Sequence, residues 1–245
     1  MRGHLLPTCD LSRVRERQVL VITADDYGYS PRYDAGILEA AAAGAVDSVS
    51  VMVTRGPLDA GALLATRVET GLHLELPSEL EGSGRASDRE RAAALRELDR
   101  QLGTFEAALG RPAAYLDGHR HCHAHAGLAA PLGREAARRG LPVRSIDARH
   151  RRTLRRAGVA TQDRLIGRYS EEPDGALPVE LEAVVEGDGT LPRGVTEWMV
   201  HPGHPDPESG SGYDQAREED LDLLLSLGPL PALASARRTH AAALG

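Results

Sequence analysis

Residues 19–24, Val-Leu-Val-Ile-Thr-Ala, form a continuous apolar run that stops abruptly at Asp25-Asp26. Such a run suits a strand buried on both faces, as in a parallel sheet covered by helices, and two carboxylates at its end have no place in a core. The rest of the chain repeats the theme. Ser30 followed by Pro31 reads as an N-cap and first helical residue, opening an Ala-rich helix that stops near Gly44. A second strand is expected over 48–54, helix-compatible sequence over 58–67 and a third strand over 71–76. A long amphipathic helix follows over 88–109, then a fourth strand over 113–117. A helix near 128–139, a short strand at 142–146, a helix running to Gly158, a strand over 195–200 and a last helix over 213–227 continue the alternation. Strand and helix in regular alternation predict an α/β fold with parallel strands, either a (β/α) barrel or an open doubly wound sheet. The polar clusters Asp25-Asp26, His73, 117–125 and His201 all fall just after strands. In parallel α/β folds those are the functional ends.

Bulk properties narrow the partners. At 245 residues the chain can bury a substantial core, and no linker divides it, so 19–245 reads as one domain. Residues 1–18 lack an apolar core and read as a disordered extension rather than a signal peptide. A net charge of −7 speaks against nucleic-acid binding, and no apolar run reaches the roughly 18 residues needed to span a bilayer. Cys9 and Cys122 form no CxxC pair, which makes a reducing cytoplasm the default location.

The clusters carry chemistry beyond their plain structural readings. An Asp pair often caps a helix, yet at a strand end one carboxylate can bind a cation while its neighbour takes a proton from water. In 117–125, Asp-Gly-His-Arg-His-Cys-His-Ala-His, four of the ten histidines alternate. In an extended segment alternation places them on one face. Imidazole is a common transition-metal ligand, and Asp117 is the kind of carboxylate that fixes a ligand tautomer. Cys122 is expected to point the other way and be buried. His73 in an apolar strand more often completes a core hydrogen bond than binds metal, and His201-Pro202-Gly203 is either a turn or the site of a proton-donating histidine.

Together these segments resemble the YdjC-like family of carbohydrate deacetylases, which includes the chitooligosaccharide deacetylases. The resemblance runs from about Val19 to Leu227. It is carried by Ala24-Asp25-Asp26-Tyr27-Gly28-Tyr29-Ser30-Pro31, the Gly-Ile-Leu-Glu-Ala helix at 36–40, Gly71-Leu72-His73-Leu74, Leu116-Asp117-Gly118-His119-Arg120-His121, Val143-Arg144, and 195–203. It implies a distorted, TIM-barrel-like (β/α) barrel with one divalent ion held by Asp26, His73 and His119. Asp25 would be the general base and His201 the general acid, with His121 and Arg144 near the substrate or behind the ligands. The implied reaction is metal-assisted removal of an N-acetyl group from a sugar. By ligand softness the donor set suits Zn²⁺, Co²⁺, Ni²⁺ or Mn²⁺, while Mg²⁺ is often associated with the family. Barrels of this type often form homodimers, although no exposed apolar strip is legible here.

Two departures concern the pocket walls. The segments between the third strand and the long helix, and between Gly167 and Val195, are shorter than is usual in the family. Arg120 stands where an uncharged polar residue is common, which favours an anionic substrate. Two other readings compete. A phosphoesterase or amidohydrolase would tend to carry His-x-His on its first strand, whereas here Asp-Asp opens the chain. A non-catalytic sugar- or metal-binding protein would not need all five residues of the mechanism.

Overall fold

The computed structural model describes residues 18–80, 86–167, 193–227 and 239–244. Six parallel strands form one sheet in the order β4-β3-β2-β1-β6-β5: β1 Gln18–Tyr27, β2 Ser48–Val51, β3 Glu69–Leu74, β4 Leu116–Gly118, β5 Arg164–Ile166 and β6 Gly194–Val200. Helices α1 Pro31–Ala42, α2 Ala60–Ala65, α3 Asp88–Leu109, α4 Ala129–Arg139, α5 Ala148–Arg156, α6 Asp214–Leu227 and α7 His240–Leu244 complete the described elements.

β1 is the axis of the sheet, paired with β2 on one side and β6 on the other. Every residue of β1 except Gln18 is buried, as the apolar run requires of a strand covered on both faces. The sheet curls, and irregular backbone continues it beyond β4. Leu116 N–H donates to the Pro142 carbonyl and Arg144 N–H to that of Leu116, while Val143 N–H donates to the Ala160 carbonyl just before β5. The curled half-barrel agrees with the distorted barrel that the family resemblance implied, and single hydrogen bonds extend it where ladders are missing.

The local signals are realised in α1 and α3. The Ser30 side chain accepts from Tyr33 N–H ahead of Pro31, and Ser87 and Glu90 form a reciprocal capping box. Gly36 faces Gly203 so closely that a Cβ at position 36 would lie 2.6 Å from the Gly203 Cα. This contact seats the turn after β6, with His201, directly on α1.

Several expectations need correction. The strand expected at 142–146 is one isolated bridge, Leu116 to Val143, and the strand expected at 113–117 is confined to Leu116–Gly118. Three-residue β5 and five-residue α7 carry too few residues for a periodicity to show. Residues 119–124 form a 3₁₀ turn with Arg120 (φ 49°) and His121 (φ 56°) in the left-handed region, so the histidines do not share a face. Residues 1–17 of the expected extension 1–18 and the short stretch 168–192 lie outside the described residues, while Gln18 opens β1. Among the described residues no helix is long and apolar enough to cross a membrane.

Candidate active site

An open cleft of about 200 Å³ lies at the C-terminal ends of the strands, lined by Asp25, Asp26, His73, His119, Arg120, His121, His201 and Tyr213 among others. Six of the seven residues singled out from the sequence are therefore brought together. Arg144 lies behind the cleft, fully buried against Asp25.

Successive strand residues point to opposite faces, so Asp25 and Asp26 would normally diverge. Here Asp26 has φ 74°, and the β1–β2 register shifts between Ala24 and Tyr27. A left-handed backbone is costly for a non-glycine residue and is a mark of functional sites. The bulge turns both carboxylates onto His73: Asp26 Oδ1 is 3.2 Å from His73 Nε2, and Asp25 and His73 offer atoms within 4.8 Å of each other.

Asp26, His73 and His119 present donor atoms all within 4.8 Å of one another. Asp26 Oδ1 faces both imidazoles, with His119 Nδ1 at 3.0 Å. His73 Nδ1 is held by Asp117 Oδ1 at 2.7 Å, which orients the ring and directs Nε2 at Asp26. His119 Nε2 is buried with no hydrogen-bond partner among the described residues.

The charges fit a cation as well as the donors do. Ion pairs connect Asp26, Asp117, Asp25, Glu197 and Glu69 with Arg217, Arg144 and His240. Burial opposes a charged His73, yet Asp117 and Asp25 push its pKa up to about 10, so this point of the cleft favours positive charge.

Arg144 is the hub behind the cleft. Its Nη1 donates to Asp25 Oδ2 at 2.6 Å, its Nη2 to Asp25 Oδ1 at 2.9 Å, and its Nε to Glu197 Oε1 at 2.9 Å. Burial acts to raise the Asp25 pKa, but the Arg144 guanidinium and His73 outweigh it and hold the carboxyl below its usual range. Asp25 is thus an ionised acceptor on the cleft wall. At His201 burial lowers the pKa against the opposing pull of Asp26 and Asp25, so the ring rests neutral. His201 N–H donates to Asp220 Oδ2 at 2.9 Å, tying the turn to α6.

His121 lines the cleft beside His119, whereas His123 leaves it. The His123 Nε2 sits 2.9 Å from the Arg144 carbonyl oxygen, and burial drives its pKa well down. Cys122 is buried as expected, with Sγ donating to the Leu74 carbonyl. Sequence reasoning missed three residues. Glu197 carried a signal, since a lone acid inside an apolar run such as 195–200 needs a buried cation. Arg217, whose Nη2 donates to Asp26 Oδ2 at 2.5 Å and which lies over the Tyr33 ring, and His240 carried none.

A family model for YdjC-like protein matches residues 19–234. The chain belongs to the YdjC-like family. This YdjC-like protein is 32% identical to a carbohydrate deacetylase from Homo sapiens over 260 aligned positions, covering 81% of this chain and 79% of that one. It is 28% identical to a chitooligosaccharide deacetylase from Enterobacter sp. (strain 638), covering 85% of this chain and 91% of that one. Solved structures of other proteins share its fold. An Enterococcus faecalis V583 protein assigned to cellobiose-phosphate cleavage superposes with a TM-score of 0.71 at 23% identity, over 94% of this chain and 100% of the other. A Streptococcus mutans CE4 esterase gives a TM-score of 0.56 at 15% identity, over 92% and 86%.

Proposed function

We propose that this YdjC-like protein is a divalent-metal-dependent hydrolase that removes the acetyl group from an N-acetylated amino sugar, giving free amine and acetate. The observation that carries the reading is the division between two adjacent carboxylates in one cleft. Asp26 faces two imidazoles within 3.0–3.2 Å, while Asp25 is held ionised by Arg144 and still lines the cleft.

Asp26, His73 and His119 are the residues that would hold the ion. A bound divalent cation supplies Lewis-acid polarisation of a carbonyl and a lowered pKa for water. Asp25 accepts the proton of the attacking water on a carboxylate oxygen, and Arg144 fixes the direction from which it does so. Asp117 keeps His73 Nδ1 occupied, so that the ring offers only Nε2 to the cleft. Because His201 rests neutral, it takes a proton from solvent in the open cleft and gives it to the leaving amine, while Asp25 returns the proton of the attacking water to solvent. The cleft is smaller than the 300–1,000 Å³ of typical ligand pockets and suits the acetamido end of a substrate. Tyr213, 48% exposed at the cleft, offers a face to the sugar ring, and Arg120 beside it favours a sugar that carries an anionic group.

The test is release of acetate and free amine from a panel of N-acetylated mono-, di- and phosphorylated sugars, with added Zn²⁺ or Mg²⁺ and with chelator. Chelator-sensitive release supports the reading and names the substrate class. Metal-replete protein that releases acetate from no member overturns it.

A further inference from the structure

The cleft lies at one end of the strands and α7 at the other. Ala243 and Leu244 pack on Val19, Val21 and Val195 where β1 and β6 begin. These contacts are ordinary apolar cover. The first residue of the helix behaves differently, because His240 turns inward, is 2% exposed and stacks on Tyr115 with ring centroids 3.8 Å apart and planes at 20°.

From there the contacts run towards the cleft without a break. His240 N–H donates to Glu69 Oε2 at 2.6 Å, and its Nε2 lies 3.1 Å from Glu197 Oε1. The same Glu197 oxygen meets Arg144 Nη2 at 2.8 Å. That nitrogen also lies 2.9 Å from Asp25 Oδ1 and 2.9 Å from Asp117 Oδ2. One guanidinium nitrogen is thus contested by three carboxylates. A second route runs through the stacked ring, since the Tyr115 hydroxyl is 3.0 Å from Ser50 Oγ, which donates to Asp117 Oδ2 at 2.6 Å.

We propose that His240 is a positioning residue for Asp25. By neutralising Glu197 from the closed end of the barrel it weakens that carboxylate's hold on Arg144 and leaves the guanidinium seated on Asp25. An apolar side chain would fill the same space but would leave Glu197 drawing on Arg144 alone, in a low-dielectric interior where such competition is strong. The surroundings keep the imidazole charged, because Glu197 and Glu69 outweigh the opposing effect of burial and raise its pKa to about 9. The inference rests on the reading of Asp25 as the base. It makes the short C-terminal helix part of the catalytic apparatus, although none of its residues lines the cleft.

The experiment compares His240→Ala and His240→Gln with Leu109→Ala, a core truncation at the end of α3 that lies outside this chain of contacts. Steady-state kcat and KM, bound metal per chain and the thermal midpoint are measured for each. Displacement of a catalytic group by a fraction of an ångström to 1 Å predicts that His240→Ala lowers kcat about 10–100-fold, with KM and metal content unchanged. His240→Gln, which keeps an N–H donor without the charge, falls between. Leu109→Ala lowers the midpoint while kcat, measured well below it, stays at the wild-type value.

Equal kcat for wild type and both His240 variants overturns the inference while leaving the assignment of Asp25 intact. So does a kcat loss in Leu109→Ala that tracks the midpoint as in His240→Ala. If His240→Ala does not fold, His240→Gln carries the kinetic comparison. Its crystal structure adds a readout independent of turnover. Arg144 still on Asp25 at 2.6 Å in that structure contradicts the coupling, and a lengthened contact supports it. A wild-type protein inactive on every acetylated sugar would instead remove the reading on which the coupling rests.

Discussion

The floor of the cleft and its rim are held by different forces. The floor, Asp25 with Arg144, Glu197 and Asp117, is a lattice of buried charges in which Arg144 holds both Asp25 oxygens and is itself shared with Glu197 and Asp117. The rim, 119–124, is a tight turn with two left-handed residues, Arg120 and His121, and His119 reaches the floor through a single contact to Asp26 Oδ1. A lattice fixes a base to a fraction of an ångström. A turn places ligands while leaving the side chains between them free to face substrate. Removing a floor residue therefore strands charges in the interior, whereas removing Arg120 from the rim costs a contact with water or sugar.

The largest expected effect is on turnover. Asp25→Asn keeps the shape of the floor and one of its hydrogen-bond acceptors but removes the base, and acetate release should fall by about 10²–10⁴-fold. A loss smaller than tenfold would move the base elsewhere. Next comes stability at the hub. Arg144→Met leaves Asp25, Asp117 and Glu197 buried without their shared cation, which should cost about 3–5 kcal/mol in chemical denaturation.

A pH series sharpens the contrast. His240 has its pKa raised to about 9 in the folded protein, against about 6.5 unfolded, so the folded state binds the proton more tightly. Its contribution, about 3 kcal/mol by linkage, is fully present below pH 6.5 and is lost as the pH rises through about 9. The wild-type unfolding free energy should fall over that window, and His240→Gln should flatten the fall. At the rim, Arg120→Ala should change the unfolding free energy by no more than about 0.5 kcal/mol. Its effect belongs in KM, and only for substrates carrying negative charge.

The same contrast explains what could be read from the chain. Asp25-Asp26 was legible because an apolar strand cannot end in two carboxylates without a reason, and His201 because it follows a strand in a fold whose polar ends are functional; His73, inside β3, read from its own surroundings as a core residue and as a ligand only through the family resemblance. The 119–125 cluster was legible as chemistry and misread as geometry. Alternation implies a common face only in extended backbone, and the left-handed residues at Arg120 and His121 remove that condition. The partners of the floor are distant in sequence. Arg144 and Asp25 are 119 residues apart, Arg217 and Asp26 191, and nothing local to Arg217 or His240 announces a buried ion pair. The parallel α/β class followed from the order of elements and the barrel from the family resemblance, while the place of 142–145 did not, because it joins the sheet by single hydrogen bonds rather than as a strand.

The most direct test of the central claim is calorimetric titration of Zn²⁺ into metal-stripped wild type, Asp25→Asn and Asp26→Asn. The division of labour predicts one site per chain in wild type and in Asp25→Asn, with affinities within about tenfold of each other, and a loss of at least about 100-fold in Asp26→Asn. Equal metal affinity in the two variants, or a larger loss in Asp25→Asn, would contradict the assignment of ligand and base to these neighbouring carboxylates.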